Sequence, residues 1–257
     1  MNNALAVAGI VIKELYRRKD FYVLFILTAL ITLLMGSIKF FNEETVRNIK
    51  EICLALIWIS SLVIAITTAA RQLPAEKESR TIFPLLAKPI TRGQLILGKF
   101  FGCWFSGGLA LVLFYLFFCV ISGAREHHWP LLNYFQALWL HWFFLAIVVA
   151  IVMLGSVVFT AVSSNATISF ILIGGIMFVG QHLNKVALQM SEPGRSIIYS
   201  IYFVIPHLEF FNVSKLIIHD WPRISWIVCG VATLYGIAYT LFFLFGTWLI
   251  FRRKSLN

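Results

Sequence analysis

Charged residues are scarce in this chain, and its long apolar runs contain almost none. Only 12% of the 257 residues are charged and 60% are hydrophobic, whereas about 25% of an average soluble domain is charged. No polar stretch is long enough to enclose a hydrophobic core of its own. These deficits exclude a soluble domain and predict an all-α integral membrane protein, with residues 1–257 forming a single transmembrane domain.

The interior of the apolar segments also lacks Asp, Glu, Lys and Arg. Proton- and sodium-coupled carriers usually place such residues within their spans, so their absence argues against a secondary transporter. His141 is a titratable residue inside a span, near its outer end. Two interpretations stay open for it: a functional residue, or a side chain that reaches the lipid headgroups.

Patterns typical of metal centres and catalytic sites are missing as well. The four cysteines lie in apolar segments without metal-ligand spacing, which is typical of small buried side chains. No nucleophile–base pair is recognisable, so we predict no catalytic residue. The adjacent His127 and His128 are a weak candidate for a metal site on the outer side. The alternative is that these histidines are ordinary surface residues.

Six apolar segments are long enough, or nearly so, to cross a bilayer, which requires about 20 residues. The fifth is the shortest, because Gln181 and His182 end it early. Ser163–Asn165 are expected to form the turn between the fourth and fifth spans. The six predicted spans cover residues 21–40, 52–70, 100–122, 135–162, 167–183 and 224–251.

The predicted outer loop 184–225 contains an apolar stretch, residues 197–211, that is too short to span and is interrupted by Pro206. Such a stretch can enter the membrane and return if protein covers its free backbone groups. We therefore expect a broken re-entrant hairpin before the last span.

The distribution of Lys and Arg predicts the orientation. Most of the 21 basic residues fall on one side if the N-terminus is cytoplasmic. Both termini are then cytoplasmic, and the net charge of +10 reflects topology rather than nucleic-acid binding. Residues 1–19 are expected to form an interfacial helix, with Lys13, Arg17 and Arg18 facing the headgroups of the lipid bilayer. The alternative is a plain positive flank of the first span.

The cytoplasmic loop 71–99 contains most of the charge in its half of the chain. Pro74 ends the preceding helix, and Glu76 and Glu78 favour the N-terminus of a new one. The helix is predicted to carry an apolar stripe and to end at Pro89, and Thr91 is expected to cap the next helix. This short amphipathic helix can dock on a soluble protein or lie on the bilayer. The stripe consists of Ile82, Leu85 and Leu86.

One apparent nucleotide motif in this region is misleading. Gly93, Gly98 and Lys99 match G-x-x-x-x-G-K, but Phe100 stands where a phosphate-binding loop needs Ser or Thr. No strand is expected before it, and Lys99 opens a membrane span. Gly98 and Gly102, with Ser106, instead indicate small-x-x-x-small helix packing.

Residues 78–99 resemble the cytoplasmic loop of type-2 ABC transporter permeases. The sequence departs from the family at Arg80, where many members have Gly. The matching positions are Glu78, Thr81, Leu85, Leu86, Pro89, Thr91, Arg92, Gly98 and Lys99.

The resemblance implies that two permease subunits, identical or homologous, form a translocation path and bind two separate ATP-binding subunits. ATP and Mg would then be held by those partners, with no cofactor in this chain. Export across the cytoplasmic (inner) membrane is the family's default. An outer-side accessory protein is a further possible partner, and the cargo is not identified. The residues expected to couple to the ATP-binding subunit are Glu78, Arg80, Thr81, Leu85, Leu86, Pro89 and Arg92.

A different class of function stays open from the sequence. The chain could be a non-transporting membrane scaffold, or an intramembrane enzyme, whose loop binds another soluble protein. A third interpretation makes the outer histidines a metal-delivery site.

Overall fold

The computed structural model describes residues 2–16, 43–78 and 91–253, together with scattered positions between 22 and 33. Regular structure in these ranges is helical throughout, which confirms the all-α prediction for them. The helices are α1 (Asn2–Tyr16), α2 (Glu43–Arg71), α3 (Pro74–Glu78), α4 (Arg92–Glu126), α5 (Leu131–Val158), α6 (Val162–Gln189), α7 (Gly194–Val204), α8 (Lys215–Ile218) and α9 (Trp226–Arg253), with a 3-10 turn at Leu208–Phe211.

Four helical segments among the described residues are long and apolar enough to cross a membrane: Arg47–Glu76, Arg92–Ala124, Leu131–Val158 and Trp226–Arg253. They correspond to the second, third, fourth and sixth predicted spans. A fifth candidate is α7 taken together with Leu208–Ile218, across a 41° bend.

The six-span count is not confirmed. The first predicted span, residues 21–40, lies mostly outside the described residues. The fifth predicted span falls in α6, whose apolar part Val162–Phe178 is too short to be counted with the other four.

Helix α5 lies at the centre of the bundle. Every side chain from Phe143 to Met153 is buried, because α2, α4, α6 and α9 pack around the helix. A helix that is apolar on all sides is typical of such a central position. Helix α9, in contrast, exposes Val231, Leu234 and Phe242, as expected of a helix that faces lipid.

Polar side chains join the helices at both ends of the bundle. At one end, the Asn165 amide donates to the carbonyl oxygens of Ala70 and Val152, both at 3.3 Å. Asn165 lies in the first turn of α6, which begins at Val162, so the prediction that Ser163–Asn165 form the connecting turn was wrong. The turn instead consists of residues 159–161, because α5 already ends at Val158.

At the other end, the Lys50 ammonium lies 2.7 Å from the Glu126 carboxylate and 3.5 Å from that of Asp220. The three residues come from the three segments that the sequence assigns to the outer side, which we call the outer end of the bundle. Lys50 is only 5% exposed. These carboxylates compensate its charge there.

The segment before α9 is broken where Pro206 predicts a break. Its His207 N–H donates to the Tyr235 hydroxyl at 2.8 Å, and Tyr235 lies nine residues into α9, about 14 Å from its outer end. The chain then returns to the outer end, where the Ile217 carbonyl accepts a hydrogen bond from Lys50 at 3.4 Å. A bend of this kind belongs to a broken span or to a re-entrant loop, and the re-entrant hairpin stays a prediction.

Candidate coupling site

Lys99 fixes the first side of the 71–99 loop to α4. Its Nζ lies 2.6 Å from Glu76 Oε1 and donates to the Gln72 carbonyl at 2.9 Å. Lys99 is only 2% exposed, and a buried ammonium is stable only when it is paired and hydrogen-bonded. These contacts therefore hold the start of α3 against the second turn of α4.

The same geometry explains the misleading nucleotide motif. Lys99 is inside α4 and its ammonium faces Gln72 and Glu76. At Gly98 an added Cβ would lie 2.7 Å from both the Ala4 carbonyl oxygen and the Val7 Cβ. The lack of a side chain at Gly98 allows α1 to pack closely on α4, and Gly102 does the same one turn later, which confirms the predicted helix packing at these two glycines.

Helix α1 runs parallel to the first half of α4. Gly98 contacts Ala4 and Val7, while Gly102, one turn later, contacts Ala8 and Val11. The predicted interfacial helix 1–19 thus corresponds to α1, and its position relative to the headgroups stays a prediction. Of its three basic residues, Lys13 is exposed, and Arg17 and Arg18 lie outside the described residues.

The second side of the loop ends in a complete helix cap. The Thr91 hydroxyl accepts a hydrogen bond from the Gln94 N–H, and the Gln94 side chain accepts one from the Thr91 N–H. This reciprocal capping box satisfies two backbone donors that a helix N-terminus otherwise leaves free. It confirms Thr91 as the cap, with α4 beginning at Arg92.

Arg92 connects this side of the loop to the last turn of α9. Its Nη1 donates to the carbonyl oxygens of Phe251 at 2.6 Å and Arg252 at 3.1 Å. The guanidinium also lies 5.4 Å from the centre of the Phe251 ring. Because the last carbonyls of a helix lack intrahelical partners, a cation there both satisfies them and opposes the helix dipole.

Only two of the predicted coupling residues lie within the described ranges. Glu78 is the exposed last residue of α3, and Arg92 is the first residue of α4. The structure attaches the loop to α4 on one side and to α9 on the other. The other predicted coupling residues lie outside the described residues: Arg80, Thr81, Leu85, Leu86 and Pro89.

Sequence reasoning named Arg92 but did not identify the contacts that hold the loop. Gln72 and Phe251 act through backbone carbonyls, which carry no signal in the sequence. Lys99 is recognisable in the sequence only as the residue that opens a membrane span, because a lysine at such a place ordinarily extends to the interface and needs no buried partner.

The scan of protein families gives one match over nearly the whole chain. A family model described as ABC-2 family transporter protein matches residues 5–256. The chain belongs to the ABC-2 transporter family. No curated protein matches it. The match confirms the resemblance stated for the loop and identifies this multi-pass membrane protein as a permease component of a transporter.

The two outer histidines of this ABC-2 permease have different local roles. His127 ends α4 in the left-handed conformation, with φ at 52°, and His128 is exposed in the short connection to α5. Within the described ranges, no group of three or more His, Cys, Asp or Glu side chains is placed to hold a metal ion. The structure therefore adds no support to the metal-site interpretation.

His141 is fully buried in the permease, which excludes the interpretation that its ring reaches the headgroups. Its Nε2 lies 2.9 Å from the Ser61 hydroxyl and its Nδ1 lies 3.4 Å from the Tyr115 hydroxyl. The ring stacks on Trp58, with centroids 3.9 Å apart. His141 thus joins α2, α4 and α5 through a buried polar network.

Proposed function

We propose that this ABC-2 permease subunit pairs with a second permease subunit and exports its cargo using two separate ATP-binding subunits. The observation that carries the proposal is the attachment of the 76–92 loop on both sides. Glu76 is held by Lys99 of α4, and Arg92 is held by the last turn of α9. A partner that moves this loop would therefore move two membrane-spanning helices.

The attachment continues into the centre of the bundle. The indole N–H of Trp104 in α4 donates to the Trp142 carbonyl of α5 at 2.9 Å, and that of Trp142 donates back to the Trp104 carbonyl at 3.3 Å. The two rings stack with centroids 4.7 Å apart. Such a rigid connection suits the transmission of a rigid-body motion from the loop to α5.

The remaining parts of the proposal follow from the family. ATP and Mg bind to the partner subunits, and this chain contributes no ATPase residue. The permease lies in the cytoplasmic (inner) membrane with both termini cytoplasmic, so that the loop faces the ATP-binding subunits. Lys13, Arg17 and Arg18 then lie beside the headgroups.

Purification of the permease from its native membrane in a gentle detergent tests the proposal. Mass spectrometry of the eluate should show an ATP-binding-cassette protein in stoichiometric amount, together with vanadate-sensitive ATP hydrolysis. The control is the same preparation from cells that carry Leu85→Asp, in which both signals should be lost while the permease is still inserted.

A partner of another kind on the loop would contradict the proposal. If the stoichiometric protein in the eluate has no ATP-binding cassette, the permease acts as a scaffold for that protein. Transport direction needs a separate measurement, because ATPase association is the same in exporters and importers. Accumulation of cargo inside inverted vesicles that contain the complex would show export.

A further inference from the structure

An apolar groove of about 450 Å³ lies between the outer halves of α5 and α9. It extends along α9 from Trp226 to Leu234, a distance of about 12 Å. The rings of Phe135 and Trp139 form the wall on the α5 side. An added Cβ at Gly230 would meet nothing within 4 Å, and Leu234 is 68% exposed. The groove is therefore open towards the lipid, and we call it the lateral groove.

A second cavity, of about 420 Å³, lies between the first turn of α5 and the segment that leads into α9. Leu131 lines it one turn before Phe135, and Arg223 lines it three residues before Trp226. The two cavities therefore follow each other along the same pair of chain segments, with the second one nearer the outer surface. We call this second cavity the mouth of the lateral groove.

Two side chains of α5 fix the distance between the walls. The fully buried Gln136 exchanges two hydrogen bonds with the Ile224 backbone: its Nε2 donates to the carbonyl at 2.7 Å, and its Oε1 accepts from the N–H at 3.1 Å. One turn deeper, the Trp139 indole N–H donates to the Thr233 hydroxyl at 3.0 Å. Because specific polar contacts hold both walls, the groove has a defined width and does not result from loose packing.

The mouth carries positive charge. Arg223 is exposed there, and the ring of His128 adds a hydrogen-bond donor. Of the described residues that line the mouth, none is a carboxylate. The carboxylates nearest to these two residues in the chain, Asp220 and Glu126, are paired with Lys50. The lining therefore favours an anion, and a guanidinium suits phosphate because it donates two parallel N–H bonds.

We propose that the mouth and the lateral groove together bind one anionic phospholipid. Its phosphate lies on Arg223, and one of its acyl chains lies in the groove against Gly230. Trp129 and Trp221 line the mouth, as aromatic residues do at the level of the headgroups. A lipid that also carries an ammonium would find no carboxylate in this lining, so a net negative headgroup is preferred. The site does not depend on the proposed coupling to ATP-binding subunits.

Photo-crosslinking of the purified permease in phosphatidylcholine nanodiscs tests the site. One arm adds a trace of phosphatidylglycerol with a diazirine in the middle of one acyl chain, and the other adds phosphatidylcholine with the same chain. The peptides that contain residues 131–139 and 226–234 should be labelled about fivefold more by the phosphatidylglycerol probe. Equal labelling by the two probes would show only the ordinary lipid that surrounds any membrane protein, and would overturn the proposal.

Substitutions test the two ends of the site separately. Arg223→Gln removes the charge, so phosphatidylglycerol labelling should fall to the level of the phosphatidylcholine probe. Gly230→Leu fills the groove, so both probes should lose their labelling there. The control Lys215→Gln removes an exposed cation outside both cavities, and Gly175→Leu makes the same change at a glycine of α6 with nothing within 4 Å. Both controls should keep full labelling. Full labelling in the Arg223 and Gly230 variants would show that the lipid does not bind at this site.

Discussion

The Lys99 ammonium lies 2.6 Å from the Glu76 carboxylate, across the 23 positions that separate the two residues in the chain. Lys99 is buried inside α4, and Glu76 lies in the first turn of α3. The ion pair therefore holds the base of the 71–99 loop against a helix long and apolar enough to span the membrane. A substitution of either residue should therefore alter the packing of both the loop and α4.

Lys99→Met should destabilise the permease, because Glu76 would keep a partly buried charge without its ammonium partner. Breaking a buried ion pair by removing one partner costs about 3 kcal/mol, and the thermal unfolding midpoint in detergent should fall accordingly. The control is Lys13→Met, since Lys13 is exposed. The double variant Lys99→Met with Glu76→Leu should recover much of the loss, and equal midpoints for all variants would refute the assignment.

Arg92→Ala should uncouple the permease without preventing its assembly. The variant loses charge-assisted hydrogen bonds to the Phe251 and Arg252 carbonyls, each of which is worth about 1.5–3 kcal/mol. Co-purification of the ATP-binding subunit should persist, while transport per ATP hydrolysed should fall. The matched control is Arg253→Ala, which removes an exposed guanidinium from the same last turn of α9. Transport that stays fully coupled in the Arg92 variant would contradict the role given to this contact.

Leu85→Asp should abolish binding of the ATP-binding subunit, because a carboxylate in the predicted apolar stripe would have to be desolvated on docking. The measurement is the amount of ATP-binding subunit that co-purifies at equal permease yield. Leu131→Asp makes the same change at an exposed position at the outer end of α5 and should leave binding intact. Retention of the ATP-binding subunit by the Leu85 variant would show that docking does not depend on the apolar stripe.

Gly98→Ala should weaken the packing of α1 on α4, because the added methyl group would overlap the Ala4 carbonyl and Val7. Overpacking of this kind costs about 1–3 kcal/mol, and hydrogen exchange in α1 should become faster. Gly230→Ala is the matched control, since a Cβ there meets nothing within 4 Å and alanine favours a helix. Equal exchange in the two variants would show that α1 does not depend on Gly98.

At the inner end of α4, local sequence patterns predicted the short-range features but not the long-range contacts. Thr91, Gly98 and Gly102 were assigned correctly from sequence, since capping and close helix packing depend on residue types at fixed short spacings. Lys99 and Arg92 were recognised as charges, but their partners lie 23 and 159 positions away. Such distances in the chain leave no periodicity from which the contact could be inferred.

His141 illustrates a property that the sequence left open. Its place near the outer end of a predicted span allowed either a functional residue or contact with headgroups, and the structure excludes the second because the ring is fully buried beside Ser61 and Tyr115. The depth of a residue along its own helix says nothing about whether neighbouring helices extend around it.

The sequence by itself determined that this is an all-helical membrane protein of the ABC-2 transporter family, because composition and short motifs are properties of neighbouring residues. The structure decided which residues hold the 71–99 loop and which surround His141. Those features arise from long-range packing, in which each buried charge must find a partner wherever the fold places one.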